Sequence, residues 1–303
     1  MTTPKADEGE ASCRATSRKN RVYILRDFLE SAYGDYLVPG DVVLDIAGVK
    51  GDLSWLLRNI HGVDSVVVDP RVTRHEHILR SVEYLRRYPK EALERAVSGL
   101  PSHQPLAALM PRCQHISDFQ IPQHLRILVD DDLVNAIRNV RGNEDSCPIV
   151  WEEYWAAATR KALETNTQGY REARRRTKQQ IVDADEALQI ILQTRLVVGF
   201  HPDQATDACF DLAIELQVPF CIVPCCVFPS EFAGRFQYDG SPVRRYHDLI
   251  QYHMERMPWL RRAQLAFHET QTARSLVLYT LPGDAQSFQC NKCEESSVVE
   301  LVC

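Results

Sequence analysis

Three short stretches gather the residue types that do chemistry. "GFHPDQATD" carries His201 and Asp203, "VPCCVFP" sets Cys225 and Cys226 side by side between prolines, and "LDIAGVKG" places Gly48 and Gly51 just after the acid Asp45. A histidine titrates near neutral pH and can act as a base toward a hydroxyl acceptor. Adjacent cysteines admit four readings. A vicinal disulfide is strained, and a nucleophilic thiolate wants a neighbouring cation or helix N-terminus. Zinc needs two or more further ligands, and no C-x-x-C lies nearby, so no metal is expected. In the fourth reading Pro224, which lacks an N–H, stops a strand. The two small side chains then turn the loop beside His201 and Asp203 and wall an acceptor pocket. This last reading assigns His201, Asp203, Cys225 and Cys226 to one chemical neighbourhood.

The elements that must position these residues alternate. Residues 42–46 ("VVLDI"), 65–69 ("SVVVD"), 113–119 ("CQHISDF"), 195–200 ("RLVVGF") and 219–223 ("PFCIV") read as strands of a mostly parallel sheet. Helical periodicity marks residues 21–36, 53–60, 78–97, 205–216 and 246–257, with Asp203 placed to cap the fourth. Residues 263–269 and 275–283 suit a closing antiparallel pair. The spacing therefore predicts an α/β doubly wound, Rossmann-like sheet. Residues 120–194 read as an inserted helical lobe, helical from about 149 to 193. In such sheets ligands bind at the carboxyl ends of strands, where every chemical residue above falls.

The loop after the first strand admits two ligand readings. One is a dinucleotide, with Asp69 as the acid about twenty residues on, although the full G-x-G-x-x-G is absent. The other is S-adenosylmethionine (SAM). There Asp45 lies beside the amino-acid part, the backbone of Ala47, Gly48 and Gly51 approaches closely, Asp69 accepts from the ribose hydroxyls, and Asp118 faces the adenine.

The loop resembles motif I of class I SAM-dependent methyltransferases. His201, Ala205, Thr206, Asp207, Cys225 and Cys226 resemble strand-end motifs of a subgroup that includes eukaryotic tRNA 2′-O-methyltransferases and related methyltransferase-like proteins. The likeness spans residues 42–57, 66–71 and 196–229. It implies seven strands, SAM as cofactor, and methyl transfer to an oxygen or nitrogen acceptor, with RNA as one acceptor class. Ala47 and Val49 stand where that family carries glycine, and Val227 and Phe228 follow the cysteines where the tRNA enzymes have histidine. A non-catalytic module binding RNA or protein is therefore the alternative, and a nicotinamide-dependent oxidoreductase the third reading.

Composition narrows the partners. A net charge of −6 leaves nucleic-acid binding to a local patch, and the one dense basic run is "REARRRTK", with Arg171, Arg174, Arg175, Arg176 and Lys178. Trp151, Tyr154 and Trp155 precede it, with helix packing the expected role ahead of base stacking. No apolar run is long enough to cross a membrane. The first twenty residues carry Asp7, Glu8 and Glu10 and no apolar stretch, which reads as a tail and not as a secretory signal. The ten cysteines are therefore expected as reduced thiols of a cytoplasmic or nuclear protein. Residues 21–283 form the expected domain, and Cys290, Cys293 and Cys303 fall on a C-terminal tail with no site expected.

Overall fold

The computed structural model describes residues 21–48, 50–73, 75–88, 119–142, 147–167, 182–267 and 274–284. Seven strands form one sheet: β1 (Val42–Ile46), β2 (Asp64–Val68), β3 (Gln123–Leu125), β4 (Thr194–Phe200), β5 (Phe220–Val223), β6 (Arg261–Gln264) and β7 (Leu276–Tyr279). Their order is β3-β2-β1-β4-β5-β7-β6. The pairs from β3 through β5 are parallel, and β7 runs antiparallel to both β5 and β6. The expected α/β class and its antiparallel C-terminal pair are present.

β1 is buried at every position, as its run of β-branched and aliphatic residues requires of a strand covered on both faces. Its alternation sorts the core into two layers. Val42, Leu44 and Ile46 join one cluster, together with Val66, Val197, Phe210, Trp151 and Ile222. Val43 joins the other, with Leu53, Trp55, Leu196 and Val223. Helices α1 (Arg21–Tyr33), α2 (Asp52–Leu56) and α3 (Glu76–Arg87) serve the second layer. Helices α4 (Asp131–Gly142), α5 (Cys147–Thr167), α6 (Ala184–Leu192) and α7 (Thr206–Leu216) serve the first, as does α8 (Tyr246–Arg256). α2 passes into one π-helical turn (Leu57–His61), which Gly62 closes at φ 68.

Three expectations change. Residues 113–118, read as the third strand, lie outside the described residues, and the third described strand is Gln123–Leu125, inside the span read as the start of the insertion. It is a short edge strand whose place is set by pairing with Val66 to Val68 and not by its own propensity. The helix read over 149–193 is not continuous: Val182 and Asp183 are non-helical, and α5 and α6 are separate among the described residues. The Trp151 and Trp155 side chains are buried beneath them, and their indole N–H groups donate to the carbonyls of Ala184 (2.6 Å) and Val182 (3.2 Å). They are core, not stacking surfaces. Third, Asp203 does not cap α7 through its side chain: it opens a 3-10 turn (Asp203–Ala205) at φ 51.

Among the described residues no helix is long and apolar enough to cross a membrane. Residues 1–20, Val49, Asp118, the basic residues Arg171, Arg174, Arg175, Arg176 and Lys178, and Cys290, Cys293 and Cys303 lie outside the described residues.

Candidate functional site

The strand order reverses between β1 and β4, and this switch point carries a cleft of about 580 Å³ at their carboxyl ends. Its walls include Ala47 after β1, Asp69 and Arg71 after β2, Asp130 before α4, and Asp203 and Asp207 around the start of α7. That volume suits a nucleotide-sized ligand.

Asp45 and the two glycines stand behind this wall. Strand alternation turns Ile46 toward the cleft layer and Asp45 toward α2, where Ser54 Oγ donates to Asp45 Oδ2 at 2.9 Å and Ser65 Oγ donates to Ser54 at 2.9 Å. Asp45 Oδ1 is buried without a protein partner. Burial, the dominant cause, raises the Asp45 carboxyl to about 7, against the lowering effect of the Ser54 hydrogen bonds. Gly48 is glycine because a Cβ there would lie 2.6 Å from Asp45 Oδ2.

Gly51 adopts φ 67 as the N-cap of α2, and a Cβ on it would overlap the His75 ring. His75 Nδ1 lies 3.1 Å from the Gly51 carbonyl, which can only accept, so the proton sits on Nδ1. Gly51→Ala is expected to cost about 1–2 kcal/mol from the left-handed backbone alone, and more from the overlap with the His75 ring. A chemical denaturation midpoint unchanged from wild type would show that the loop has another conformation open to it.

Asp69 is fully buried, and its carboxylate is occupied. Arg71 donates from its backbone N–H (2.8 Å) and Nε (3.0 Å) to Oδ1 and from Nη2 (3.0 Å) to Oδ2. A His124 ring nitrogen sits 2.8 Å from the Asp69 carbonyl, tying β3 to the end of β2.

Beyond β4 the backbone is strained twice: His201 has φ 56 and Asp203 φ 51, both in the left-handed region. His201 packs against Phe200 with ring centroids 4.6 Å apart, near Phe267, and does not line the cleft. Burial, reinforced by Arg21 and Arg274, lowers its ring to about 4, so it is neutral at physiological pH. Asp203 lines the cleft and meets the cysteines. Cys225 Sγ donates to Asp203 Oδ1 at 3.0 Å, and Arg274 Nη1 donates to Cys226 Sγ at 3.2 Å. Burial first, and the Asp203 bond next, push the Cys225 thiol well above the ordinary range. Both cysteines are free thiols. β5 ends at Val223, before Pro224, as its missing N–H requires.

No protein-family model, curated protein or solved structure matches this chain.

One constellation escapes a reading by sequence. Arg235, nearly inaccessible, donates from Nε to Asp207 Oδ2 (2.8 Å) and from Nη1 to the Val227 carbonyl (2.8 Å), with its guanidinium 3.7 Å over the Phe232 ring. His253 Nε2 lies 3.3 Å from Asp207 Oδ1. Burial, with Arg256 and Arg235 adding to it, holds that histidine well below its ordinary range, so it is neutral. Asp207 was visible as part of "HPDQATD". Nothing in "AGRFQYDG" marks Arg235 as its partner, because the contact is made by packing of the loop after β5 onto α7.

Proposed function

We propose that the chain is a SAM-dependent methyltransferase acting on an oxygen or nitrogen acceptor. The observation that carries the reading is the strand order, with β7 inserted antiparallel between β5 and β6 and a cleft at the β1/β4 reversal. The dinucleotide fold of nicotinamide enzymes has the order 3-2-1-4-5-6, which weighs against the oxidoreductase. Seven strands whose last pair is antiparallel are what the methyltransferase resemblance implies.

On this reading Asp69 takes the ribose hydroxyls and the Ala47 backbone borders the cofactor, while Asp203 faces the acceptor. The cofactor supplies an electrophilic methyl on a sulfonium. The chain's part is to hold the acceptor in line at near-attack distance, which is where most of the rate gain arises. Asp203 is the carboxylate placed to take the acceptor's proton as the new methyl bond forms, with Cys225 fixing its orientation. Its position in the cleft fits that role better than His201, which is outside the cleft.

The Asp69–Arg71 pairing makes a specific demand, because both carboxylate oxygens are engaged. On this reading the ribose competes with the Arg71 guanidinium for the Asp69 carboxylate, so Arg71→Ala is expected to tighten SAM binding several-fold in calorimetric titration. Asp69→Asn is expected to weaken it at least about tenfold. Equal affinities in wild type and both variants would remove Asp69 from the site, and no heat at millimolar SAM with folded protein would overturn the reading. The same pairing favours a second reading, a binding module that no longer transfers methyl. Tritium transfer from labelled SAM to fractionated RNA, protein and metabolite pools separates the two, and label confined to a non-RNA pool eliminates an RNA acceptor.

A further inference from the structure

The turn after β4 and the turn after β5 converge on three groups that share one chemistry. Asp203, Cys225 and Cys226 offer a carboxylate oxygen and two sulfurs, all within 4.8 Å of one another. Along the sequence, two adjacent thiols lack the third ligand that zinc requires. The fold supplies that ligand from 22 residues away, since β4 and β5 are adjacent parallel strands and their ends lie side by side.

We propose that Asp203, Cys225 and Cys226 bind a thiophilic divalent cation of the zinc type, with a fourth position open toward the cleft. Two sulfurs and one carboxylate select a borderline-soft ion over magnesium or calcium, which want oxygen alone. Three protein ligands with one position left for water or substrate is the arrangement of catalytic and not structural zinc. Asp203 lines the cleft and Cys225 is buried behind it, so the ion would sit at the cleft's edge.

The charges close as well. Two thiolates and a carboxylate carry three negative charges, while the ion carries two positive and Arg274, donating to Cys226 Sγ, supplies the third. A cation donor held on a ligand sulfur is the kind of outer contact that orients and stabilises metal-bound thiolates. The proton now bridging Cys225 Sγ and Asp203 Oδ1 leaves to solvent on binding, as does the Cys226 thiol proton, and no electron is transferred. An acceptor oxygen or nitrogen in the open position would be polarised by the ion, which takes over activation from Asp203 acting alone.

The site does not depend on the cofactor reading, because metal binding is measured on the chain without SAM. The probe is cobalt(II) added to the freshly reduced full chain, followed by zinc(II) displacement. Sulfur-to-cobalt charge-transfer absorption in the near ultraviolet, saturating at one ion per chain with the visible bands of a four-coordinate ion, is expected. Serine replacement of Cys290, Cys293 and Cys303 together should leave both features intact. The double variant Cys225→Ser/Cys226→Ser should lose the charge-transfer absorption. Asp203→Asn should keep the sulfur bands but weaken affinity at least about tenfold, since losing a ligand costs no less than losing the outer contact that orients one. Should the double variant fail to fold by circular dichroism, Cys226→Ser alone, at the more accessible position, should halve the charge-transfer intensity. No thiolate bands in the wild type, bands that survive Cys225→Ser/Cys226→Ser or stay undiminished in Cys226→Ser, or unaltered affinity in Asp203→Asn would each overturn the proposal.

Discussion

Replacing Asp45 by asparagine is expected to flatten the pH dependence of stability between pH 4 and 7 and to stabilise the protein at pH 8 by up to about 4 kcal/mol. The sign follows from the direction of the shift. Burial raises the folded Asp45 carboxyl from 3.8 to about 7. Between those values the native chain holds a proton that the unfolded chain has released, so wild-type stability falls as pH rises through the window. It levels off above 7, where both states are ionised and the buried charge carries its full desolvation cost. Asparagine keeps an acceptor for Ser54 Oγ and cannot ionise, so it never meets that cost. Urea unfolding of both proteins from pH 4 to pH 8 reads the difference. Parallel profiles would show that the carboxyl is not raised, and hence that its charge has a partner in solution.

Arg235→Ala is expected to destabilise the fold by about 3 kcal/mol, lowering the melting temperature by roughly 5 °C. The loss has three sources. Asp207 keeps its charge without its ion-pair partner, the Val227 carbonyl loses its donor, and Phe232 loses the guanidinium stacked on it. The neighbouring His253 cannot compensate, because burial, with Arg256 adding to it, keeps it neutral. Arg235→Lys should recover less than half of the loss, since an ammonium supplies charge without the planar fork that spans Asp207 and Val227. Replacing the pair, Asp207→Leu with Arg235→Met, should be milder than Arg235→Ala alone, because no uncompensated charge remains. If the alanine variant melts with the wild type, the pair is solvated and Asp207 is free to serve the cleft.

One effect concerns a residue near the end of β1, the other a residue in the loop after β5. Runs such as "VVLDI" and "RLVVGF" can only satisfy their apolar surface as strands covered on both faces, so β1 and β4 were legible residue by residue. The cleft's location was legible too, because parallel strands with alternating helices expose their carboxyl ends at the order reversal. β3 was not, because a three-residue edge strand takes its identity from the partner it pairs with.

The sequence by itself determined the alternation of elements, the antiparallel closing pair and the set of polar residues gathered at the strand ends, because periodicity and backbone chemistry act over a few neighbours. Tertiary structure alone decided what each of those residues does. It turned Asp45 away from the cleft through strand parity, occupied Asp69 with Arg71, and seated His75 on Gly51. It also joined Asp203 to Cys225 across two adjacent strand ends and Asp207 to Arg235 across a loop. Apart from the Asp69–Arg71 contact two residues away, these pairings arise where packing brings distant backbone together, and no local pattern encodes them.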